Sequence, residues 1–392
     1  MALCATAWGG WRLLCSLIAF VVQSRYVRKG TSKRMHQTRF AAYATVAYGL
    51  LVLAIVIALS VVYSGYGYDD PYITFRYTQN LIRGQGFVYN VGERVLSTTA
   101  AGYALLLAVP ALIYPNLPLW GNVFSAVGLG LGAWSFYRLA DQNGEPLLGA
   151  VAGLLLLTFP LCISTFGSEM CAYVGVALAG FRAYARQHPE RALAWMAFAT
   201  LIRPDGVLAA ALIVGYHLVT ERRIAWKAIA VYAALLLPWV AYATWAYGSP
   251  IPVTLAAKRA QGRMEISDSY LLGAWQMLAS YLRRPVYWLY LALGGLGLWR
   301  LLRRGRQWWP LLLWTAGSFL AYAILDVSRY FWYYVHLVPG VVMAVSAGVQ
   351  GVRTWVTRWP VGQRVQGALT VVLLIVLFWA NVPGLRYSRT PP

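Results

Sequence analysis

Acidic side chains are scarce in this chain: 12 Asp and Glu stand against 33 Lys and Arg in 392 residues, and charged residues total only 11%. Soluble domains carry roughly 25% charged residues, so the shortage excludes an ordinary soluble globular domain. Cysteine is scarce too. Cys4, Cys15, Cys162 and Cys171 form no C-x-x-C pair and no Cys/His metal spacing, which excludes a zinc or disulfide scaffold. Cys162 and Cys171 flank one expected external loop; they either bridge there or stay as buried thiols, the plainer reading. A cleavable leader is poorly supported. The first 23 residues are apolar, but Arg12 interrupts them and no basic segment precedes them, so they are left unassigned.

Apolar residues are abundant, at 60% of the chain with a mean hydropathy of +0.56. Several runs reach or approach the ~20 residues a helix needs to cross a bilayer. The expected fold is all-α: a polytopic membrane bundle of about 11 helices. A net charge of +21 would suggest nucleic acid in a soluble protein. Here the cations sit in short loops between apolar runs, so the expected partner is the bilayer, not nucleic acid.

Residues 25–39 hold six basic residues and no acid, and are expected to be cytoplasmic. Residues 1–39 are then an N-terminal apolar and basic segment, and 40–392 one transmembrane domain. A span from about 40 to 63 leads outward. Four later basic clusters, around Arg186, Arg223, Arg303 and Arg358, keep the cytoplasmic side only if the apolar run 100–113 dips in and returns. That run therefore belongs, as a re-entrant or surface helix, to a long external loop, 64–116. Further spans are expected near 117–138, 147–166, 170–183, 192–202, 206–219, 228–247, 285–301, 308–325, 335–351 and 366–381. No soluble C-terminal domain is expected after the last.

This topology places Asp69-Asp70 outside, at the end of the first span. Like charges that close raise each other's pKa and need a partner or a task. Asp70 is expected to cap a helix beginning at Pro71, which leaves Asp69 as the better candidate for chemistry. That helix is expected to lie on the bilayer, with Arg76, Gln79, Asn80 and Arg83 on one face and Ile73, Tyr77 and Leu81 on the other. The Phe166–Glu169 loop, the Arg203-Pro204-Asp205-Gly206 turn, the loop 248–284 and the segment 326–334 converge on the same side. They bring Glu169, Arg203, Asp205, Lys258, Arg259, Arg329, Trp332, Tyr334 and the following His336 as candidate substrate-binding residues.

Acids and cations at a membrane surface suit sugar transfer from a polyprenyl phosphate. The phosphate leaves without acid help, a carboxylate takes the acceptor proton, and cations hold the phosphate. Asp69, Asp70 and Glu169 also suit a divalent ion held through oxygen ligands; no other cofactor is expected.

Several ordered motifs carry a resemblance. Asp69-Asp70-Pro71-Tyr72-Ile73-Thr74-Phe75-Arg76, the Gly84–Val95 block with Asn90-Val91-Gly92-Glu93-Arg94-Val95, Phe166-Gly167-Ser168-Glu169, Arg203-Pro204-Asp205-Gly206, Gly248–Lys258 and the late Trp332-Tyr333-Tyr334 occur in that order. Together they resemble the C-type integral-membrane glycosyltransferases, the GT-C superfamily that uses polyprenyl-phosphate sugars. The bacterial branch with mycobacterial arabinofuranosyltransferases and protein mannosyltransferase relatives is the most similar. The resemblance covers about residues 40–340. It implies one aspartate of the pair as base, Glu169 shaping the acceptor or metal site, and Lys258 on the donor phosphate. The implied partners are a polyprenyl-phosphate sugar donor and a glycan, glycolipid or protein acceptor. Val253 stands where that branch usually has Asn.

The expected activity is inverting transfer of one sugar to a hydroxyl at the extracytoplasmic face of a bacterial inner membrane, with Asp69 as base. The alternatives are a transporter or flippase for a lipid-linked or charged solute, and a polymerase or ligase of lipid-linked glycans. A transporter favours midplane charge and inverted repeats; the acids here gather at one surface and no repeat is visible.

Overall fold

The computed structural model describes residues 31–262, 264, 268–358 and 363–387. Residues 1–30 and the Arg259 side chain, both subjects of expectations above, lie outside the described residues.

Among the described residues the chain is helical, and its strand-like pairing is confined to an isolated bridge between Ser269 and Ser328. The helices are α1 (Thr31–Val62), α2 (Pro71–Ile82), α3 (Ala101–Ala111), α4 (Leu117–Gln142), α5 (Pro146–Thr158), α6 (Pro160–Ile163), α7 (Met170–Ala185) and α8 (Pro189–Ile202). They continue with α9 (Gly206–Glu221), α10 (Trp226–Tyr247), α11 (Thr254–Gly262), α12 (Tyr270–Leu282), α13 (Val286–Arg304), α14 (Trp309–Leu325), α15 (Val338–Val356) and α16 (Gln363–Tyr387). Each expected span except 147–166 falls on a single one of these helices. Among the described residues four stretches are long and apolar enough to cross a membrane: Ala41–Val62, Trp226–Tyr247, Arg306–Leu325 and Phe331–Val356. The chain is a polytopic membrane bundle.

Two departures have local causes. The expected span 147–166 breaks at Phe159-Pro160, where extended Phe159 divides α5 from α6, because proline cannot continue the hydrogen-bond ladder. The helix α2 does not lay its apolar face on lipid. Tyr77 is fully buried with Phe87, Leu96 and Ala243, flanked by Trp239 and Tyr247 of α10. Asn80, assigned to the polar face, is buried and donates to the carbonyls of Val88 and Tyr89. The run expected not to cross forms α3, whose 11 residues reach only about 16 Å, too short to span.

Close backbone approach organises the bundle. A Cβ on Gly175 of α7 would sit 2.0 Å from the Gly128 carbonyl oxygen of α4, and one on Gly297 of α13 would sit 1.7 Å from that of Ala344 on α15. Without a hydrophobic drive in lipid, such small-residue contacts supply the dispersion energy that holds helices together. Cys162 and Cys171 are free and buried, and the Cys171 thiol donates to the Cys162 carbonyl at 3.2 Å.

Candidate active site

The loop before α7 is fixed first. Gly167 adopts φ +90°, a conformation costly for residues with a Cβ. Its N–H donates to Ser125 Oγ of α4 at 3.2 Å, and Tyr103 of α3 donates to its carbonyl at 3.3 Å. Glu169 follows, 6% exposed. It sits at the α7 N-terminus but accepts no capping hydrogen bond; its carboxylate pairs with the Arg203 guanidinium.

Arg203 lies at the turn between α8 and α9 and is likewise buried. Its Nε donates to Asp205 Oδ2 at 2.7 Å and its Nη2 to Tyr322 at 3.2 Å. Tyr322 donates to the same Asp205 oxygen at 2.7 Å, and His336 Nε2 stands 3.2 Å from it. Sequence reading gives the Arg203-Pro204-Asp205-Gly206 segment only as a turn that carries two candidate substrate-binding residues. In the fold it is a relay that ties α7, α8, α14 and the 3-10 segment Phe331–Leu337 together through buried charge. Burial pushes the Asp205 carboxyl up, but Arg203 and His336 outweigh that and hold it below the usual carboxylate range.

The cap expected at Asp70 is not made: Asp70 has helical dihedrals (φ −58°, ψ −42°) and makes no side-chain cap. The helical conformation starts one residue earlier than proline placement implies, and Asp69 Oδ1 accepts the adjacent Asp70 N–H at 2.9 Å. Asp69 is exposed, while Asp70 is half-buried. Asp70 Oδ1 lies 3.8 Å from Lys258 Nζ. Burial and the Glu169 charge raise the Asp70 pKa above its ordinary value, against the opposing pull of Lys258 and Arg203.

Lys258 is carried on α11 and held beneath an aromatic wall. Its Nζ is 4.1 Å from the Tyr330 ring centroid and 5.5 Å from that of Trp332, within cation–π range. Trp332 stacks on Tyr330 with centroids 4.4 Å apart and on Tyr68 at 5.7 Å. The Gly84–Val95 block and its neighbours form the frame that delivers Lys258. Glycines at 84, 86 and 92 all take positive φ. Tyr77 donates to the Val95 carbonyl at 2.6 Å, the Val253 N–H donates to the Leu96 carbonyl at 3.0 Å, and Thr254 donates to that of Ser97 at 3.2 Å. Val253 contributes backbone here and leaves its side chain exposed.

Two candidates are engaged elsewhere. Arg329 is half-exposed and pairs with Asp268 at 3.0 Å, and its guanidinium also meets Gln276. Tyr334 is buried, donates to the Tyr270 carbonyl at 2.7 Å and stacks on that ring. Both lie over Gly273 of α12. Sequence reading gave no separate weight to Tyr68 and Tyr322; their only signal is tyrosine beside a glycine-rich motif and tyrosine within an apolar helix. For a divalent ion the fit is poor. Among the described residues no three His, Cys, Asp or Glu side chains gather as a metal-holding group, and Glu169 and Asp70 already face Arg203 and Lys258.

No protein-family profile matches the chain. Over 221 residues it is 29% identical to the terminal beta-(1->2)-arabinofuranosyltransferase of Mycobacterium tuberculosis, covering 50% of this chain and 35% of that one. The chain thus spans about a third of the length of that relative. Its structure is similar to the crystal structure of ArnT from Cupriavidus metallidurans bound to undecaprenyl phosphate, with a TM-score of 0.63 at 14% identity, covering 87% of this chain and 77% of the other. The oligosaccharyltransferase of Archaeoglobus fulgidus tethered to an acceptor peptide superposes with a TM-score of 0.59 at 14% identity, over 90% of this chain and 56% of that one. With the bundle, the first-loop helices and the ordered motifs in place, the chain has the fold of the C-type integral-membrane glycosyltransferases.

Proposed function

We propose that this protein is a membrane glycosyltransferase that moves one sugar from a polyprenyl-phosphate donor to an acceptor hydroxyl at the extracytoplasmic face, with inversion. The observation that carries it is the half-buried Asp70 carboxylate facing the Lys258 ammonium under Tyr330 and Trp332. The acceptor oxygen attacks the anomeric carbon while its proton passes to Asp70. The bond from that carbon to the phosphate oxygen breaks, and polyprenyl phosphate leaves with both bonding electrons. Lys258 takes up the growing phosphate charge. A single displacement from the opposite face inverts the anomeric centre. A carboxylate with a raised pKa is a stronger base; this reading takes Asp70 as the base instead of Asp69, expected from sequence.

Similar folds support a lipid-phosphate donor, since ArnT was solved with undecaprenyl phosphate and the Archaeoglobus fulgidus enzyme with dolichol phosphate. The relay through Glu169, Arg203, Asp205 and His336 holds the acceptor side rigid. The test is a transfer assay in proteoliposomes with labelled polyprenyl-phosphate pentose and hexose donors against extracted envelope acceptors. Label is expected in the acceptor fraction. Label that crosses the membrane still attached to lipid, with none transferred, would replace this reading with a flippase.

A further inference from the structure

At the opposite end of the bundle, α13 and α15 form a second site. The two helices touch backbone to backbone at Gly297 and Gly348. Toward their C-termini a cleft of about 440 Å³ has an apolar floor of Leu296 and Val352 and is lined further by Gly351, Trp299, Trp355, Arg300, Arg303 and Arg358. Val338, the first residue of α15, adjoins the carboxylate relay at His336. Thr354 lies about 24 Å farther along the helix axis.

Its chemistry is that of an anion site. Arg300 is held in place from two sides: Nη2 meets Glu145, at the α5 N-terminus, at 3.0 Å, and Nη1 donates to Thr354 Oγ1 at 3.1 Å. The Arg303 guanidinium lies on the Trp299 ring, 5.0 Å from its centroid. Three arginines thus line the cleft, and Glu145, which fixes Arg300, is not part of that lining. Planar guanidinia fixed by neighbours suit phosphate oxygens. Trp299 and Trp355 are more than half exposed, as befits rings at the headgroup level of a bilayer. Scattered snorkelling arginines would need neither the anchoring carboxylate nor the cavity.

We propose that this cleft binds a phosphate group, that of an anionic phospholipid headgroup or of a soluble phosphate, independently of the site at Asp70. The test uses the purified full chain in native mass spectrometry with an equal mixture of phosphatidylglycerol and phosphatidylcholine, together with thermal unfolding in millimolar inorganic phosphate. The wild type is expected to retain phosphatidylglycerol at least 10-fold over phosphatidylcholine. Arg303→Gln/Arg358→Gln is expected to abolish that preference. So is Gly351→Phe, which fills the cleft and keeps every charge. If phosphate raises the unfolding temperature of the wild type but not of the variants, and lipid is not retained, the ligand is the soluble one and the site stands. Equal retention by wild type and Gly351→Phe, with no differential response to phosphate, overturns it. Unfolding temperatures without ligand report whether each variant is folded, and the two variants perturb the helix ends by different means.

Discussion

Lys258 Nζ stands 3.8 Å from Asp70 Oδ1, although 188 residues separate them in sequence and neither belongs to a long apolar helix. One is the first acid after α1 that turns inward, the other a cation on a short amphipathic helix. In the reaction proposed above the pair joins a base to a phosphate-binding charge, and most of what can be tested about this protein follows from it.

Asp70→Asn is expected to lower kcat by about 10²- to 10⁴-fold, the range of a lost general base, with little change in unfolding temperature. Asp69→Asn should keep most activity and cost about 1 kcal/mol or less, the net worth of one exposed hydrogen bond. An inactive Asp69→Asn beside an active Asp70→Asn returns the base to Asp69.

Lys258→Met is expected to raise KM for the donor about 10-fold or more, equivalent to about 1.4 kcal/mol of lost binding, with a fall in kcat as well. Lys258→Arg should recover part of both. The readout is steady-state kinetics at fixed acceptor. A change in acceptor KM alone would remove Lys258 from the donor phosphate.

The pH profile should show the same coupling. Asp70 acts ionised, and its pKa is raised by burial and Glu169, so the acidic limb of kcat/KM lies above the ordinary carboxylate value. Glu169→Gln removes a charge that raises it and should move the limb to lower pH. Lys258→Met removes a charge that lowers it and should move the limb to higher pH. Limbs that move the other way, or together, would disconnect Asp70 from the reaction.

Arg203 is expected to be the most costly charge to remove. Arg203→Met leaves the buried Glu169 and the part-buried Asp205 without the guanidinium that pairs them both, a loss of about 3–5 kcal/mol, seen as a fall in unfolding temperature. Asp205 has a folded pKa below its unfolded value. Its contribution is therefore fully present above the unfolded pKa of about 4 and lost as pH falls toward the folded value. Asp205→Asn should flatten the acid side of the stability profile.

Gly175 faces the Gly128 carbonyl, so even a methyl group overlaps backbone. Gly175→Ala is expected to destabilise by about 1–3 kcal/mol and to loosen the loop that carries Glu169. Unchanged unfolding and activity would show that α4 and α7 can separate without consequence.

The sequence by itself determined the all-helical membrane character, because apolar length and scarce charge leave a bilayer helix few alternatives. It also determined the helix positions and the motifs around Asp70, Glu169, Arg203 and Lys258, since proline, glycine and charge interrupt apolar runs wherever the chain must turn. What each of these residues touches was decided only by tertiary structure. Asp70, expected to cap the helix, is itself in helical backbone and faces Lys258, through a one-residue shift in where the helix begins, which side-chain preference alone does not fix. Asn80 was assigned to a polar face, yet packing against residues 88 and 89 buries it. Arg329 and Tyr334 share a segment with Trp332, but α12 passes over them and takes their hydrogen bonds, while Trp332 turns to Lys258. Such partners lie up to nearly two hundred residues apart, and no local pattern encodes which of several nearby charges will meet.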